Sequence, residues 1–416
     1  MSLVEEEIND RKLIILVAPN VTEQMGGEGI KALHIFQELE KRIQSVIQIT
    51  HARNRAELIE RLQLDGIYFV EDTFFSILLW KSVVFRTLLN YWFSIKAVRL
   101  AERISRDLGF EPANVAIWQT EPNSPVQPRY FSKIHKNFLG PINGNIYFPK
   151  IFFKTAPLSQ KLRRGLHFPL QLINRLLFRS IIRSDIIFCA GGDRTRCSLE
   201  ARGCHRNIIF DSLDCGISDK LFDRTRVTHA GTNTKFVHFR AGNLHKGTFL
   251  VIQSLLKTRL SITIDIIGRG PDIERSKAIV TELGLEDRVR FLGWFESHNE
   301  MLNSLIQYRG YLLPTLEDAN GIAVQEAMAL GLPPICLNWG GPQLLIDHNE
   351  NGYLVDPISV DHITTKIAMY MDELANDSVL AEKLSVRGRE KALSWRWSQV
   401  IQTWIDIIQS SQHKVA

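Results

Sequence analysis

The sequence predicts an α/β protein of two domains, each built on a parallel β-sheet with helices on both faces. At 416 residues the chain exceeds what one hydrophobic core usually organises. Short β-branched apolar runs alternate with helix-length amphipathic segments almost throughout, which is the pattern of doubly wound parallel sheets. One polar stretch, 218–234, carries no apolar periodicity and is typical of an interdomain connection.

Ten apolar runs are predicted as strands, five on each side of that polar stretch. They are 13–19, 45–50, 66–70, 115–119 and 185–190, then 235–241, 262–267, 289–292, 310–313 and 334–337. We expect one domain over 1–217, a linker over 218–234 and a second domain over 235–394. Because ligands in open α/β sheets bind beyond the carboxyl ends of the strands, two Rossmann-like sheets facing each other would enclose a cleft.

The composition is that of an ordinary soluble protein, with 45% apolar and 23% charged residues. The 50 Lys and Arg residues exceed the 45 Asp and Glu residues by only five, which is too few to argue for a nucleic-acid partner. We therefore expect no nucleic acid. A phosphate-bearing small molecule or an anionic membrane surface stays open as a partner.

Cysteine usage and the apolar stretches favour a cytoplasmic protein. The five cysteines are scattered, odd in number and never spaced as Cys-x-x-Cys, which argues against a disulfide framework and a structural zinc site. The first residues are acidic and lack an apolar core, so we expect no secretory signal. Lys81 and Arg86 interrupt the longest apolar stretch, 74–93, so we expect no transmembrane helix.

Two stretches, 74–96 and 161–183, mix large apolar side chains with several Lys and Arg residues. Basic amphipathic helices can lie on anionic lipid, which would make the protein peripheral to the inner face of a membrane. The alternative is a helix that faces the core and leaves its basic side in water. The sequence leaves both interpretations open.

The segment 315–346 reads as a strand, a short polar loop and a helix. Asp318 lies in the loop, and Glu326 follows eight positions later in the helix. Gly321 and Ile322 fall at the helix start, where unpaired backbone N–H groups and the helix dipole favour a phosphate. Two carboxylates beside an anion site make sense if each accepts hydrogen bonds from sugar hydroxyls, because burial without such donors is costly.

The alternative for this segment is that Asp318 and Asn320 only cap the helix and that Glu326 lies on a solvated face. The segment resembles, however, the carboxylate-(seven residues)-Glu motif and the following Glu-Ala-Met-Ala-x-Gly-x-Pro of glycosyltransferase family 4. Members of that family have the GT-B fold. The family more often has Glu at the first position, where this chain has Asp318 preceded by Glu317.

The segment 239–248, FRAGNLHKGT, resembles the family's loop that holds the donor diphosphate. Lys246 matches the family's lysine, and its ammonium is a point charge suited to a phosphate. Asn243 stands where the family has an arginine, and Arg240 or Arg269 could compensate. The alternative for Lys246 is a solvated lysine at a helix start.

Two further segments, 264–280 and 289–295, are also similar to the family. The resemblance implies that the loops after Gly268 and Gly293 approach the nucleotide base and ribose, and it places Trp294 on the donor side. A Gly-x-Gly such as the one at 268–270 is by itself more often a tight turn.

In the first half, Gly26 and Gly27 lie between the first strand and its helix. Glycines let a loop backbone approach a ligand closely, and the family uses such a loop beside the donor sugar. The alternative is an ordinary strand-to-helix turn.

The segment 118–128, WQTEPNSPVQP, resembles family members that act in surface polysaccharide assembly. Such members commonly have a His near its start, where this chain has Trp118 or Gln119. His51 is the nearest candidate substitute. We therefore expect His51 and Trp118 on the acceptor side, although a lone loop His is more often structural.

The resemblance implies a retaining glycosyltransferase that moves a hexosyl unit from a nucleotide sugar to a saccharide or lipid-linked acceptor in polysaccharide or glycoconjugate biosynthesis. Lys246 and the helix start at Gly321 would stabilise the departing nucleoside diphosphate, Asp318 would orient the sugar, and Glu326 would bind the ribose. The second domain would hold the donor and the first the acceptor. A final helix over 395–416 would cross back to the first domain.

We expect no metal and no cofactor. Glycosyltransferases of the other major fold carry an Asp-x-Asp element for a metal ion, and no two aspartates of this chain stand two positions apart. Two other functions stay open. One is a non-catalytic, sugar-nucleotide-binding partner of another transferase, suggested by Asn243 and Trp118. The other is a nucleotide-sugar epimerase or hydrolase of the same fold.

Overall fold

A computed structural model describes residues 12–23, 27–74, 76–77, 86–144 and 146–412. The chain divides into two compact units. Unit 1 takes in the described parts of 1–145, 165–215 and 400–416, and unit 2 comprises 146–164 and 216–399. Each unit contains one wholly parallel sheet. The prediction of two doubly wound α/β domains is confirmed.

Thirteen strands are described, seven in unit 1 and six in unit 2. They are β1 (Leu13–Val17), β2 (Val46–His51), β3 (Ile67–Val70), β4 (Val115–Gln119), β5 (Lys136–Ile142), β6 (Ile186–Cys189), β7 (Ile209–Asp211), β8 (Lys235–Ala241), β9 (Thr263–Gly268), β10 (Val289–Gly293), β11 (Gly310–Leu313), β12 (Pro334–Leu337) and β13 (Tyr353–Val355). The central strands are fully buried apolar runs, as strands covered on both faces must be.

The described α-helices connect these strands and cover both faces of each sheet. They are α1 (Gly27–Glu40), α2 (Arg86–Asp107), α3 (Leu158–Leu177), α4 (Gly192–Ala201), α5 (Thr248–Ser254), α6 (Asp272–Glu282), α7 (His298–Ser304), α8 (Ile322–Ala329), α9 (Pro342–Leu345), α10 (Val360–Asn376), α11 (Ser378–Leu393) and α12 (Trp397–Gln412). A π-helical turn covers Ala56–Arg61. Short 3₁₀ turns occur between the elements, including Leu244–Lys246 after β8.

The strand order of unit 1 is β3-β2-β1-β4-β5-β6-β7, and that of unit 2 is β10-β9-β8-β11-β12-β13. In each sheet the chain winds outward from its first strand in one direction and then in the other. The direction reverses between β1 and β4 in unit 1 and between β8 and β11 in unit 2. Such a switch point, at the carboxyl ends of the strands, is where open α/β sheets bind ligands.

Three strands were not predicted from the sequence. β5 contains Gly140 and Pro141, and a proline within an apolar run argues against an interior strand because it removes a ladder donor. A register irregularity between Leu139 and Ile142 accommodates these residues beside β6. β7 and β13 have only three residues each, too few to give a periodic signal.

The expected linker and the segment 146–164 both belong to unit 2. Leu221, Phe222 and Val227 are buried, so part of the stretch expected as a polar connection packs on the unit. Phe148 and Phe152 join the apolar cluster of unit 2, which explains why 146–164 group with it and not with the first domain. The polar composition of 218–234 gave no indication of its few buried apolar residues.

Helix α12 begins in unit 2, and its residues from 400 onward group with unit 1. There Trp404 packs against Trp118 and Phe188, with ring centroids 5.6 and 5.5 Å away. Trp118 has no exposed surface, and its Nε1 donates to the Gly140 carbonyl oxygen at 2.7 Å. Trp118 is therefore a core residue, which corrects its expected position on an acceptor surface.

Within the described ranges, no helix is both long and apolar enough to cross a bilayer. The apolar stretch 74–93 lies partly outside these ranges.

We predict that Trp118→Ala lowers the free energy of unfolding by about 3 to 5 kcal/mol, because the surrounding rings cannot fully close the cavity. Urea denaturation followed by circular dichroism measures the change. The matched control is Trp294→Ala, whose side chain is 49% exposed and whose loss should cost less than about 1 kcal/mol. Equal losses in the two variants would contradict the core position of Trp118.

Candidate functional site

Four loops of unit 2 meet at the carboxyl edge of its sheet. They follow β8, β9, β10 and β11, which are neighbours in the order β10-β9-β8-β11. Parallel strands deliver their following loops to the same edge, so residues far apart in sequence come together there. The loops after β8 and β11 flank the switch point of the sheet.

Glycine allows the loops after β8 and β9 to touch through their backbones. A Cβ atom at Gly242 would overlap the carbonyl group of Arg269, and one at Gly268 would overlap that of Ala241. Gly242 also has a φ of +120°, which side chains rarely adopt. Gly268, expected beside the nucleotide, is thus needed first for the close approach of two loops.

Lys246 and Asp318 join the loops on either side of the switch point. Lys246 Nζ lies 2.8 Å from Asp318 Oδ2. The other carboxylate oxygen, Oδ1, accepts from the backbone N–H groups of Asn320 at 3.2 Å and Gly321 at 2.9 Å. Burial by itself would raise the pKa of Asp318, but Lys246 and these N–H groups outweigh it and hold the pKa below its usual value.

Asp318 therefore does two things. One oxygen orders the turn before α8, as the capping interpretation expects, and the other pairs with a cation from another loop. Gly321 lies in the left-handed region with φ +64°, directly before Ile322 opens the helix. Asn320 and Ile322 are partly exposed beside it. The start of α8 is thus fixed next to Lys246.

Glu326 lies inside α8 and is buried, with 7% of its surface exposed. His298 Nε2 lies 2.9 Å from its Oε1, and Arg240 Nη2 lies 3.3 Å from its Oε2. Burial by itself would raise the pKa of Glu326, but the bond with His298 and the charge of Arg240 outweigh it and lower the pKa. The alternative interpretation, in which Glu326 lies on a solvated face, is wrong.

Arg240 carries two signs of a functional position. Its φ is +64° at an irregularity in the pairing of β8 with β9, a conformation that costs free energy in a residue with a side chain. Within the described residues its buried Nε has no hydrogen-bond acceptor.

A pocket of about 140 Å³ opens beside Arg240 and His298. Phe239, Ile267, Trp294, Phe295, Glu296 and Met301 complete its lining. The guanidinium of Arg269 lies 5.1 Å from the ring centroid of Trp294, within cation–π range. The pocket is therefore largely apolar and aromatic, with charged groups at its wall.

Two further candidate residues of these loops, Asn243 and Glu317, are not members of the ion pairs described above. Asn243 is exposed and begins the 3₁₀ turn that carries Lys246. Glu317, the neighbour of Asp318, accepts hydrogen bonds from Gln160 and Arg163. Those two contacts engage Glu317 within unit 2, whereas Asp318 pairs with Lys246.

The remaining candidates lie in unit 1. Gly27 begins α1 and is exposed, whereas Gly26 lies outside the described residues. His51 ends β2 and is buried, with Nε2 3.1 Å from Asp72 Oδ1 and 3.2 Å from Arg53 Nη2. Burial, followed by the charge of Arg53, lowers the pKa of His51. These contacts fit the structural interpretation of this His.

Sequence reasoning missed His298. Its signal was the Ser-x-x-Glu pattern from Ser297 to Glu300 after β10, a capping box that starts a helix close to the end of a strand. Ser297 Oγ does accept from the Glu300 N–H, at 3.4 Å. This cap puts His298 at the first helical position and at the same sheet edge as Glu326.

The sequence of this site matches a known family. The model of the family described as "Glycosyl transferases group 1" matches residues 219–391. N-acetyl-alpha-D-glucosaminyl L-malate synthase from Bacillus anthracis is 31% identical over 144 residues, which are 34% of this chain and 35% of that protein. A GDP-mannose-dependent alpha-(1-6)-phosphatidylinositol monomannoside mannosyltransferase from Mycobacterium tuberculosis is 29% identical over 152 residues, 34% of this chain and 38% of that protein. The chain thus spans well under half the length of these relatives.

Solved structures resemble the chain over nearly its whole length. A glycosyltransferase from Rickettsia africae superimposes with a TM-score of 0.65 at 13% identity, covering 97% of this chain and 99% of that one. Anabaena HepE in complex with UDP and glucose gives 0.60 at 15% identity, with coverage of 96% and 100%. At such identities the likeness establishes the fold alone, which is GT-B. The family match covers the segment 219–391, which contains Lys246, Asp318 and Glu326.

Proposed function

We propose that this protein is a retaining glycosyltransferase that transfers a hexosyl unit from a nucleotide sugar to a saccharide or lipid-linked acceptor. The observation that carries the proposal is the set of ion pairs at the carboxyl edge of unit 2. Lys246 pairs with Asp318, and Arg240 pairs with Glu326, on either side of the start of α8. This arrangement offers cations for phosphates and carboxylates for hydroxyl groups within a few residues of each other.

The donor diphosphate would lie at the start of α8 beside Lys246. An ammonium has three N–H donors, and Asp318 takes one of them, so Lys246 can bind a phosphate without leaving Asp318. The first backbone N–H groups of a helix add donors and a positive dipole end. Arg240 or Arg269 would contribute the second basic side chain that Asn243 cannot supply.

The ribose would bind Glu326, and the base would occupy the pocket beside Trp294. A carboxylate offers about four acceptor sites, so Glu326 can accept from ribose hydroxyls while it keeps its bonds to His298 and Arg240. Glu326 stands five positions after Gly321, or about 7.5 Å along a helix. One short helix can therefore contact both the diphosphate and the ribose of one nucleotide.

In the reaction, the bond between the anomeric carbon and the diphosphate oxygen breaks, and the acceptor oxygen forms a new bond to the same carbon. The acceptor hydroxyl's proton passes to the leaving phosphate in front-face attack, which retains the anomeric configuration. Lys246 and the start of α8 stabilise the charge that grows on the diphosphate. Asp318 orients the sugar. Retention and the hexosyl donor rest on the resemblance to family 4.

The test is release of nucleoside diphosphate from a panel of UDP- and GDP-linked sugars, with and without saccharide and lipid-linked acceptors. A transferase releases nucleotide faster when its acceptor is present. Equal release without any acceptor would identify a hydrolase, and conversion of the sugar without release an epimerase. Tight binding of nucleotide sugars without turnover would identify a non-catalytic partner. Each of these three results contradicts the proposal.

We predict that Glu326→Ala weakens nucleotide binding roughly ten- to 150-fold, from the loss of about 1.5 to 3 kcal/mol of charge-assisted hydrogen bonding to hydroxyl groups. Titration calorimetry with the nucleotide found by the panel measures the affinity. Glu390→Ala, which removes an exposed glutamate on α11, is the matched control and should leave the affinity unchanged. Wild-type affinity in Glu326→Ala would rule out the ribose contact.

We predict that turnover persists in excess EDTA, because Lys246 and the start of α8 supply the positive charge that a metal would otherwise supply. Lys246→Ala should lower turnover roughly 30- to 150-fold, equivalent to about 2 to 3 kcal/mol. Lys383→Ala, an exposed lysine on α11, should leave turnover unchanged. If EDTA abolished turnover and Mg²⁺ or Mn²⁺ restored it, Asp318 and Glu317 would be the candidate ion ligands instead.

A further inference from the structure

Helix α3 packs on the protein through its polar residues. His167, Gln171 and Asn174 recur at helical spacing and are all buried. Asn174 Nδ2 donates to the Val126 carbonyl oxygen at 2.7 Å, and Gln171 Nε2 donates to Ser198 Oγ. In a surface helix of a globular protein the buried stripe is normally apolar, so this orientation is the reverse of the usual one.

The opposite face of α3 is apolar and exposed. Its exposed side chains include Leu162, Leu166, Leu170, Ile173, Leu176 and Leu177, which are between 42% and 71% accessible. Their spacing of three, four and seven places them on one side of the helix. A continuous apolar face of this kind differs from the scattered surface leucines of ordinary proteins and marks an interaction site.

Basic residues flank this apolar face, and acidic residues are absent from the sequence around it. From 158 to 183 the chain has six Lys or Arg residues and no Asp or Glu. Arg175, at the end of α3, and Arg179 and Arg183, in the 3₁₀ turn that follows, are exposed. The face therefore combines exposed apolar side chains with positive charge, which is the chemistry of helices that lie on anionic lipid.

We propose that α3 and the turn 179–183 dock on the surface of an anionic lipid bilayer. The apolar face enters the boundary between head groups and acyl chains, and the three arginines contact lipid phosphates. A second copy of this chain is the less suitable occupant. A symmetric dimer through this face would bring identical basic segments together, and the segment 158–183 contains no acidic residue to pair with them.

The experiment is co-sedimentation of the full chain with vesicles of phosphatidylcholine, either alone or with about one-third phosphatidylglycerol. We expect binding to the anionic vesicles. The triple variant Arg175→Gln, Arg179→Gln, Arg183→Gln should bind them about 100-fold more weakly, because each basic residue near such a surface contributes roughly a fivefold factor.

A second triple variant, Leu166→Ser, Ile173→Ser, Leu177→Ser, should also reduce binding by about 100-fold or more, since it removes apolar groups that would enter the bilayer. Its matched control is Leu256→Ser, Ile358→Ser, Val379→Ser. Those side chains are 54%, 62% and 79% exposed in unit 2, and their loss should leave binding unchanged. All six positions are exposed, so the variants should fold, and circular dichroism checks this.

Three outcomes would overturn the proposal. In the first, the wild-type chain stays in the supernatant with anionic vesicles. In the second, either α3 triple variant binds them as tightly as the wild type. In the third, the wild-type chain does not bind vesicles, sedimentation velocity shows that it is a dimer, and the apolar triple variant is a monomer. That result would assign the face to a second copy of the chain. None of these assays requires turnover, so they are independent of the proposed transferase activity.

Discussion

The Asp318 carboxylate holds together the loops on which the site depends. It pairs with Lys246 after β8 and accepts from the Asn320 and Gly321 N–H groups before α8. The backbone carbonyl oxygen of Asp318 accepts from the Gly341 N–H. The contacts with Lys246, Asn320 and Gly321 also stabilise the carboxylate's charge, which burial opposes. The start of α8 and the ammonium are thus positioned before any ligand arrives. A group that is already oriented needs no reorganisation at the moment charge develops, which is the basis of electrostatic catalysis.

Glu326 shows the cost of such an arrangement. A buried carboxylate must be paired, and the pairing with Arg240 and His298 offsets much of its desolvation without making the ion pair a strong source of stability. Arg240 adds backbone strain at the irregularity of β8. The charged cluster at this sheet edge therefore has a cost in folding free energy. The buried apolar residues of the sheet and its helices supply the compensating stability.

Much of the fold is legible in the sequence because parallel strands are buried on both faces and read as short apolar runs. The predicted bounds of β8, β11 and β12 are those of the structure. Prediction failed where the local signal conflicts with the tertiary one. Strand β5 was not predicted because Pro141 interrupts its apolar run. The burial of Leu221 and Phe222 was not predicted because the stretch around them is polar. In α3 the sequence records an amphipathic helix but cannot say which stripe faces the protein, because that depends on buried partners such as Ser198.

By itself, the sequence determined the identity of the charged groups in the loops after β8 and β11, since Lys246, Asp318 and Glu326 stand in a recognisable order. It also placed those loops after strands and before helices. Only the tertiary structure decided their partners. It brought His298 to Glu326 across 28 positions, and it placed Arg240 against that carboxylate and Arg269 against the ring of Trp294. The physical reason is that local periodicity encodes elements, whereas contacts between loops follow from the order in which the strands assemble in the sheet.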